Sequence, residues 1–254
     1  MEQAGKSLVV VGAGGNIGSH LVGHLARLSE LAPITLIDRD VYEERNLRSQ
    51  DIAASDVPKS KAAVQAKRLR RICPSLEVVP IPDDVRDVPL GLLRADAILA
   101  CLDTRTARLG VPWVDAGVAP DGLLARVNVY VPATDAPCLE CAWDDRDYQA
   151  LEQAYPCANA EAGEAPTDAP SSVGALAASL QAIECRKLLM GQKELAAIGR
   201  QALLDAERHK HYLTEFRRNP RCRFDHAVCQ IEKLDSMAGV ATVGGMLRRI
   251  RGAK

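Results

Sequence analysis

The chain lacks an excess of charge of either sign: 32 lysines and arginines face 33 aspartates and glutamates, for a net charge of −1. That balance leaves no electrostatic footprint of a nucleic-acid or membrane-surface protein. A long apolar run is also missing, because Gly, Ser, Gln and charged residues interrupt every stretch before it reaches bilayer length. The opening MEQAGKSLVVVGAGG has neither the basic region nor the cleavage site of a secretory leader. No internal repeat is visible. These absences predict a cytoplasmic protein with no nucleic-acid and no membrane partner. In that compartment the eight cysteines are expected as metal ligands, nucleophiles or core thiols, not as a disulfide framework.

What is present is an alternation of strand and helix signals. Residues 7–12 (SLVVVG) read as a buried strand, followed by a helix with Ile17, Leu21, Leu25 and Leu28 on one face. Further strands are expected in ITLIDRD from Ile34, LEVVPI from Leu76, AILACLD from Ala97 and PWVDAGV from Pro112. A second helix over Lys61–Ile72 turns Ala62, Ala66 and Leu69 inward and has a basic outer face. Near-continuous Val/Ile/Leu strands in βα units predict a doubly wound, mainly parallel, Rossmann-like α/β sheet covered on both faces. Ligands on such sheets bind at the carboxyl ends of the strands.

After Gly117 the pattern changes. LLARVNVYVP alternates as an antiparallel strand does, residues 144–170 read as a polar loop, and residues 171–191 form a helix opened by Ser and closed by Gly191. The expected organisation is a nucleotide-binding core over 1–132, a zinc-binding and loop/helix region over 133–245 that completes the same domain, and a basic tail over 246–254.

The first chemical motif is GAGGNIG at residues 12–18, between a strand and a helix. Glycines let the backbone approach a phosphate, and the helix start offers free N–H groups and the positive end of its dipole. The dehydrogenase spacing G-x-G-x-x-G would put Ile17 at its third glycine. Here Gly12, Gly14, Gly15 and Gly18 instead form G-x-G-G-x-x-G. Asp38 ends the second strand about twenty residues on, where a ribose-binding carboxylate belongs.

Then come DRDVYEERNLRSQ from Asp38, DVPKSKAA from Asp56 and CLDTRTAR from Cys101. In this order the motifs resemble the ThiF/MoeB family, which also contains the ubiquitin-activating enzymes. That family has D-x-D and N-L-x-R-Q after strand two, a lysine opening the next helix and an aspartate ending strand four. The resemblance implies ATP-dependent adenylylation of the C-terminal glycine carboxylate of a ubiquitin-like or sulfur-carrier protein, by a homodimer. Asp38 would hold the ribose, with Asp40 beside it as the second aspartate of the D-x-D motif. Asn46, Arg48 and Lys61 would face the phosphates, and Asp103 would help bind Mg2+, which prefers carboxylate and phosphate oxygens. Three departures stand out: Ser49 occupies the place of the family's arginine, nine residues separate Asp103 from Trp113, and the family's N-terminal arginine-bearing helix is missing. They keep open a second reading, an activating-enzyme subunit that has lost turnover and serves as a binding partner. An NAD-dependent oxidoreductase and a small-molecule activator are further candidates.

Cys138 and Cys141 form C-x-x-C, and Cys222, His226 and Cys229 follow far downstream. Two short-spaced pairs from separate segments are a tetrahedral zinc signature. Cys138, Cys141, Cys222 and His226 are the preferred ligands of a closed structural Zn2+ site, with Cys229 the alternative to His226. Cys157 stands in the polar loop and is the candidate for a covalent thioester or acyl-persulfide step; a plain loop cysteine is its second reading.

Overall fold

The computed structural model describes residues 5–100, 110–119, 123–133, 135–152, 169–224, 226 and 242. In chain order the elements are β1 (Lys6–Val11), α1 (Asn16–Leu25), β2 (Leu31–Ile37), α2 (Lys61–Ile72), β3 (Val78–Ile81), β4 (Ala97–Ala100), β5 (Trp113–Val118), β6 (Leu124–Tyr130), α3 (Asp145–Glu152), α4 (Ser171–Leu189), β7 (Arg200–Asp205) and β8 (Lys210–Glu215).

They build one eight-stranded sheet in the order β3-β2-β1-β4-β5-β6-β7-β8. From β3 to β5 every pairing is parallel; β5–β6, β6–β7 and β7–β8 are antiparallel. The chain moves outward from β1 in both directions, to β2 on one side and β4 on the other. The β1–β4 boundary is therefore a topological switch point, where an open crevice forms at the carboxyl ends.

Alternation along the strands divides the core in two. Leu8, Val10, Ile34, Leu36, Leu99 and Val114 face one side, where residues of α1, α2 and α4 cover them. Val9, Val11, Ile98, Trp113 and Tyr130 face the other. There the expected cover differs: among the described residues its buried part consists of Val88 and Leu93, from the β3–β4 connection with one short 3-10 turn at Leu90–Leu93, and of Val111 just before β5, and not of a long helix.

The buried face of α4 carries one polar side chain with a clear task. Gln181, fully buried, donates its Nε2 hydrogens to Ala100 O at 3.0 Å and Val114 O at 2.8 Å. It thus satisfies carbonyls of two adjacent strands at once. At its end, Gly191 turns with φ 71° and its N–H returns to Leu188 O at 3.0 Å, the stop expected of glycine there.

Several expectations need correcting. Helix α1 ends at Leu25, so Leu28 lies beyond it, though it still packs on the core. The polar loop starts later than expected, because residues 145–152 form α3, whose entry is fixed by Asp144 Oδ1 accepting the N–H groups of Arg146 and Asp147. The β7–β8 hairpin adds to the expected elements, and β8 is exposed at all six positions, so it carries no inward apolar face to signal it. Residues 101–109 and 153–168 lie outside the described residues, and with them Asp103 and Cys157. So does the tail over 246–254. Among the described residues no helix is long and apolar enough to cross a membrane.

Replacing Gln181 by Leu leaves two buried carbonyls without this donor, each worth roughly 1–3 kcal/mol when unsatisfied. Urea denaturation of Gln181→Leu should therefore show a loss of about 2–4 kcal/mol with little change in the slope m. A shift below about 0.5 kcal/mol, the size of an ordinary surface change, would mean that the carbonyls find other donors.

Candidate functional site

The glycine loop closes at the carboxyl end of β1. Gly12 turns with φ 73°, and its N–H donates to Ile37 O at 2.8 Å, lashing the loop to the end of β2. Two of its glycines are required by close approach. A Cβ on Gly14 would stand 2.4 Å from Lys61 Cβ and 2.7 Å from the Tyr42 hydroxyl; one on Gly18 would stand 2.1 Å from Gly12 O. A Cβ on Gly15 meets nothing nearer than 3.5 Å. Gly15 precedes α1 in extended conformation, no side chain caps the helix and its first turn holds no acid. The helix start is left open to an anion.

Asp38 follows β2 directly. Its Oδ2 accepts the Gly14 N–H at 2.8 Å and its Oδ1 accepts the Asp40 N–H at 3.1 Å. Burial pushes this carboxyl above the ordinary aspartate range, while the Gly14 N–H and then the Lys61 charge pull it back down. The residue is a buried acceptor at the mouth of the crevice.

Lys61 opens α2. Its N–H donates to Asp40 O at 2.9 Å, and its ammonium sits 3.2 Å from Asp40 Oδ2. Its stem runs alongside Gly14, so loop, Asp38–Asp40 and Lys61 meet within one small region. Asn46 is buried in the turn Glu44–Arg48, where its Oδ1 accepts the Glu43 N–H at 2.9 Å. Arg48 is exposed at the end of that turn and makes no ion pair among the described residues. Gly12, Gly14, Gly15, Gly18, Asp38, Asp40 and Lys61 are thus brought together, with Asn46 and Arg48 on the adjoining turn. Sequence reasoning missed Tyr42 and Gln65, fully buried behind the loop and joined at 2.7 Å. It also missed Asn16, whose Nδ2 donates to Ala169 O at 3.0 Å and ties the helix start to the segment before α4.

A second group forms away from this crevice. Cys138 Sγ lies 3.9 Å from Cys141 Sγ, 3.7 Å from Cys222 Sγ and 3.5 Å from His226 Nε2; Cys141 Sγ is also 3.5 Å from that nitrogen. All four ligand atoms lie within 4.8 Å of one another. Tetrahedral zinc with bonds of about 2.3 Å to sulfur and 2.0–2.1 Å to nitrogen gives edges of about 3.8 and 3.6 Å. The spacing and the soft donors fit such an ion. The Asn219 N–H donates to Cys141 Sγ at 3.3 Å, an outer contact that orients the thiol. Burial, then the neighbouring Cys141, pushes the Cys138 thiol up to about 12, a cost that a bound cation would reverse. His226 turns with φ 56° to reach the group. Cys229 lies outside the described residues.

The switch-point crevice, its glycine loop and the carboxylate at the end of β2 define a Rossmann-like α/β protein. More narrowly, the chain belongs to the ThiF family, whose model matches residues 4–224. Among curated proteins it is 31% identical over 150 residues to the adenylyltransferase and sulfurtransferase UBA4 of Yarrowia lipolytica, covering 54% of this chain and 36% of that protein. It is 28% identical over 156 residues to the NEDD8-activating enzyme E1 catalytic subunit of Saccharomyces cerevisiae, covering 54% and 51%. The chain therefore spans between about a third and half the length of these relatives. A solved structure of Escherichia coli MccB with ATP shares the fold at TM-score 0.68 and 23% identity, over 87% of this chain and 66% of that one.

The loop geometry separates two glycines by cost. Gly18→Ala must displace a backbone carbonyl and should lose about 2–4 kcal/mol, typical of overpacking with backbone strain. Gly15→Ala should lose less than about 1 kcal/mol, since it changes only a helix-flanking preference. Chemical denaturation of both variants checks the contrast, and equal losses would contradict the loop as described.

Proposed function

We propose that this protein activates a carboxylate by adenylylation, and that the carboxylate is the C-terminal glycine of a ubiquitin-like or sulfur-carrier protein. The observation that carries the reading is the meeting of Gly14, Asp38 and Lys61 at one point behind the glycine loop. Membership of the ThiF family and the adenylyltransferase among its relatives support it. In the reaction a carboxylate oxygen attacks the α-phosphorus of ATP, and the bond from that phosphorus to the bridging oxygen breaks. Pyrophosphate leaves with the electron pair, and an acyl-adenylate remains. No proton moves, so the protein's work is positioning and charge stabilisation.

Each group has a place in that work. The loop and the open start of α1 take the phosphates, and Asp38 accepts from the ribose hydroxyls. Lys61 exchanges Asp40 for a phosphate oxygen, which brings its charge to the leaving group. Arg48, exposed and without an ion pair among the described residues, and Asn46 add donors from the adjoining turn. Asp103 is assigned to Mg2+, which would neutralise phosphate charge. Cys157 is assigned to an ensuing thioester or acyl-persulfide. The reading includes a structural Zn2+ on Cys138, Cys141, Cys222 and His226, clipping the region over 133–245 to the core over 1–132. It also includes a homodimer, although α4 spends most of its apolar surface within the chain, on α1 and the sheet.

ATP–pyrophosphate exchange with candidate carrier proteins tests the activity. Lys61→Ala should lower it by about a hundredfold or more, the loss typical of one charge-stabilising donor, with the fold intact. Full exchange in that variant would mean that the phosphate site lies elsewhere. Elemental analysis should find one zinc per chain, and Cys138→Ser should melt far earlier, since structural zinc contributes on the order of 10 kcal/mol to a small site. Protein purified without chelator and free of zinc would remove the metal from the account.

A further inference from the structure

Lys61, Gln65 and Arg68 stand at i, i+4 and i+7 and share one face of α2. Each reaches across to a different part of the crevice wall. Lys61 Nζ lies 3.2 Å from Asp40 Oδ2, and Gln65 Nε2 lies 2.7 Å from the Tyr42 hydroxyl. Arg68 Nη1 donates to Ser19 O at 2.9 Å and to Asp51 O at 3.1 Å. The outer two rungs meet water; the middle one does not, since Tyr42 and Gln65 are both 0% exposed.

From this geometry we infer that Tyr42 and Gln65 form a buried strut that sets the distance of the glycine loop from α2. Tyr42 is thereby a positioning residue for nucleotide binding, an assignment that rests on the ATP reading above. The Tyr42 hydroxyl stands 2.7 Å from the point where a Gly14 Cβ would be, so it abuts the loop from behind. The Lys61 ammonium lies 5.7 Å from the centroid of the same ring, within reach of its π-face. The main chain at the base of the ring is fixed, because the Tyr42 N–H donates to Lys59 O and the Lys61 N–H to Asp40 O, both at 2.9 Å. Only the hydroxyl end of the ring is left to be held, and Gln65 holds it.

Stability alone does not account for this rung. Gln65 Oε1 is buried with no hydrogen-bond partner, which an apolar pair of similar size would avoid. A half-satisfied buried pair costs stability, so its presence here points to a geometric task. Here that geometry is the distance between Gly14 and α2. The strut touches no reacting atom, so its loss should weaken nucleotide binding and leave the chemical step nearly unchanged.

The test is steady-state exchange kinetics of Tyr42→Phe, Gln65→Leu and the double variant, with calorimetric Mg-ATP binding and melting temperatures for all and for the parent. Tyr42→Phe should raise KM for ATP about tenfold, with kcat changing less than about threefold. The double variant should be no worse than the worse single one, because both substitutions remove the same strut. Gln65→Leu breaks it from the helix side and keeps the test open should Tyr42→Phe fail to fold. A lowered melting temperature with unchanged KM in both single variants would make the pair merely structural and overturn the proposal. So would KM effects that multiply in the double variant. Parent protein that binds no Mg-ATP would overturn the ATP reading itself, and the strut's role with it, a result distinct from binding that is normal in every variant.

Discussion

Asp38 Oδ2 accepts the Gly14 N–H at 2.8 Å, and the rest of the crevice depends on that contact. It joins the end of β2 to the loop after β1, while the other carboxylate oxygen holds Asp40, the residue on which Lys61 rests. Three segments distant in sequence are thus gathered around one buried acceptor. The cost of burying it appears in its raised pKa, and the two N–H donors are what make it tolerable. The sheet supplies the stage: the chain leaves β1 for β2 on one side and returns to β4 on the other, and this acceptor stands at the carboxyl ends beside that switch point.

The cluster of Cys138, Cys141, Cys222 and His226 lies by the antiparallel part of the sheet. β5 runs parallel to β4 and β1, and Trp113 opens β5 while Tyr130 closes the antiparallel β6. Those two rings line one cavity with Cys138 and His226, at the amino end of β5. Four protein ligand atoms already in tetrahedral spacing suit a structural clip better than a catalytic ion.

Much of this was legible in the sequence, for reasons tied to particular residues. β4 and most of β1 are buried on both faces and read as unbroken apolar runs, and the glycine run falls between strand and helix. Of the two candidates for the fourth ligand, His226 lies with Cys138, Cys141 and Cys222, and Cys229 is outside the described residues. What escaped was information the chain does not carry locally. β8 is exposed along its whole length and has no apolar alternation. α3 begins with Asp144 and acidic residues that also suit a loop, and only its capping contacts reveal the helix. The Tyr42–Gln65 contact bridges 23 positions and depends on α2 packing against the turn beyond β2. Its trace in the sequence, the spacing of Gln65 from Lys61, is interpretable only once that packing is known.

Hydrogen–deuterium exchange with and without Mg-ATP addresses the central claim most directly, since it reports protection segment by segment and needs no carrier protein. Nucleotide seated on the loop and held by the Asp38–Lys61 region should slow exchange in peptides over 12–19 and 38–61. It should leave those around Cys138, Cys141 and Cys222 unchanged. Unaltered exchange over 12–19 and 38–61 at saturating Mg-ATP, or protection confined to the peptides of the cysteine cluster, would contradict the account.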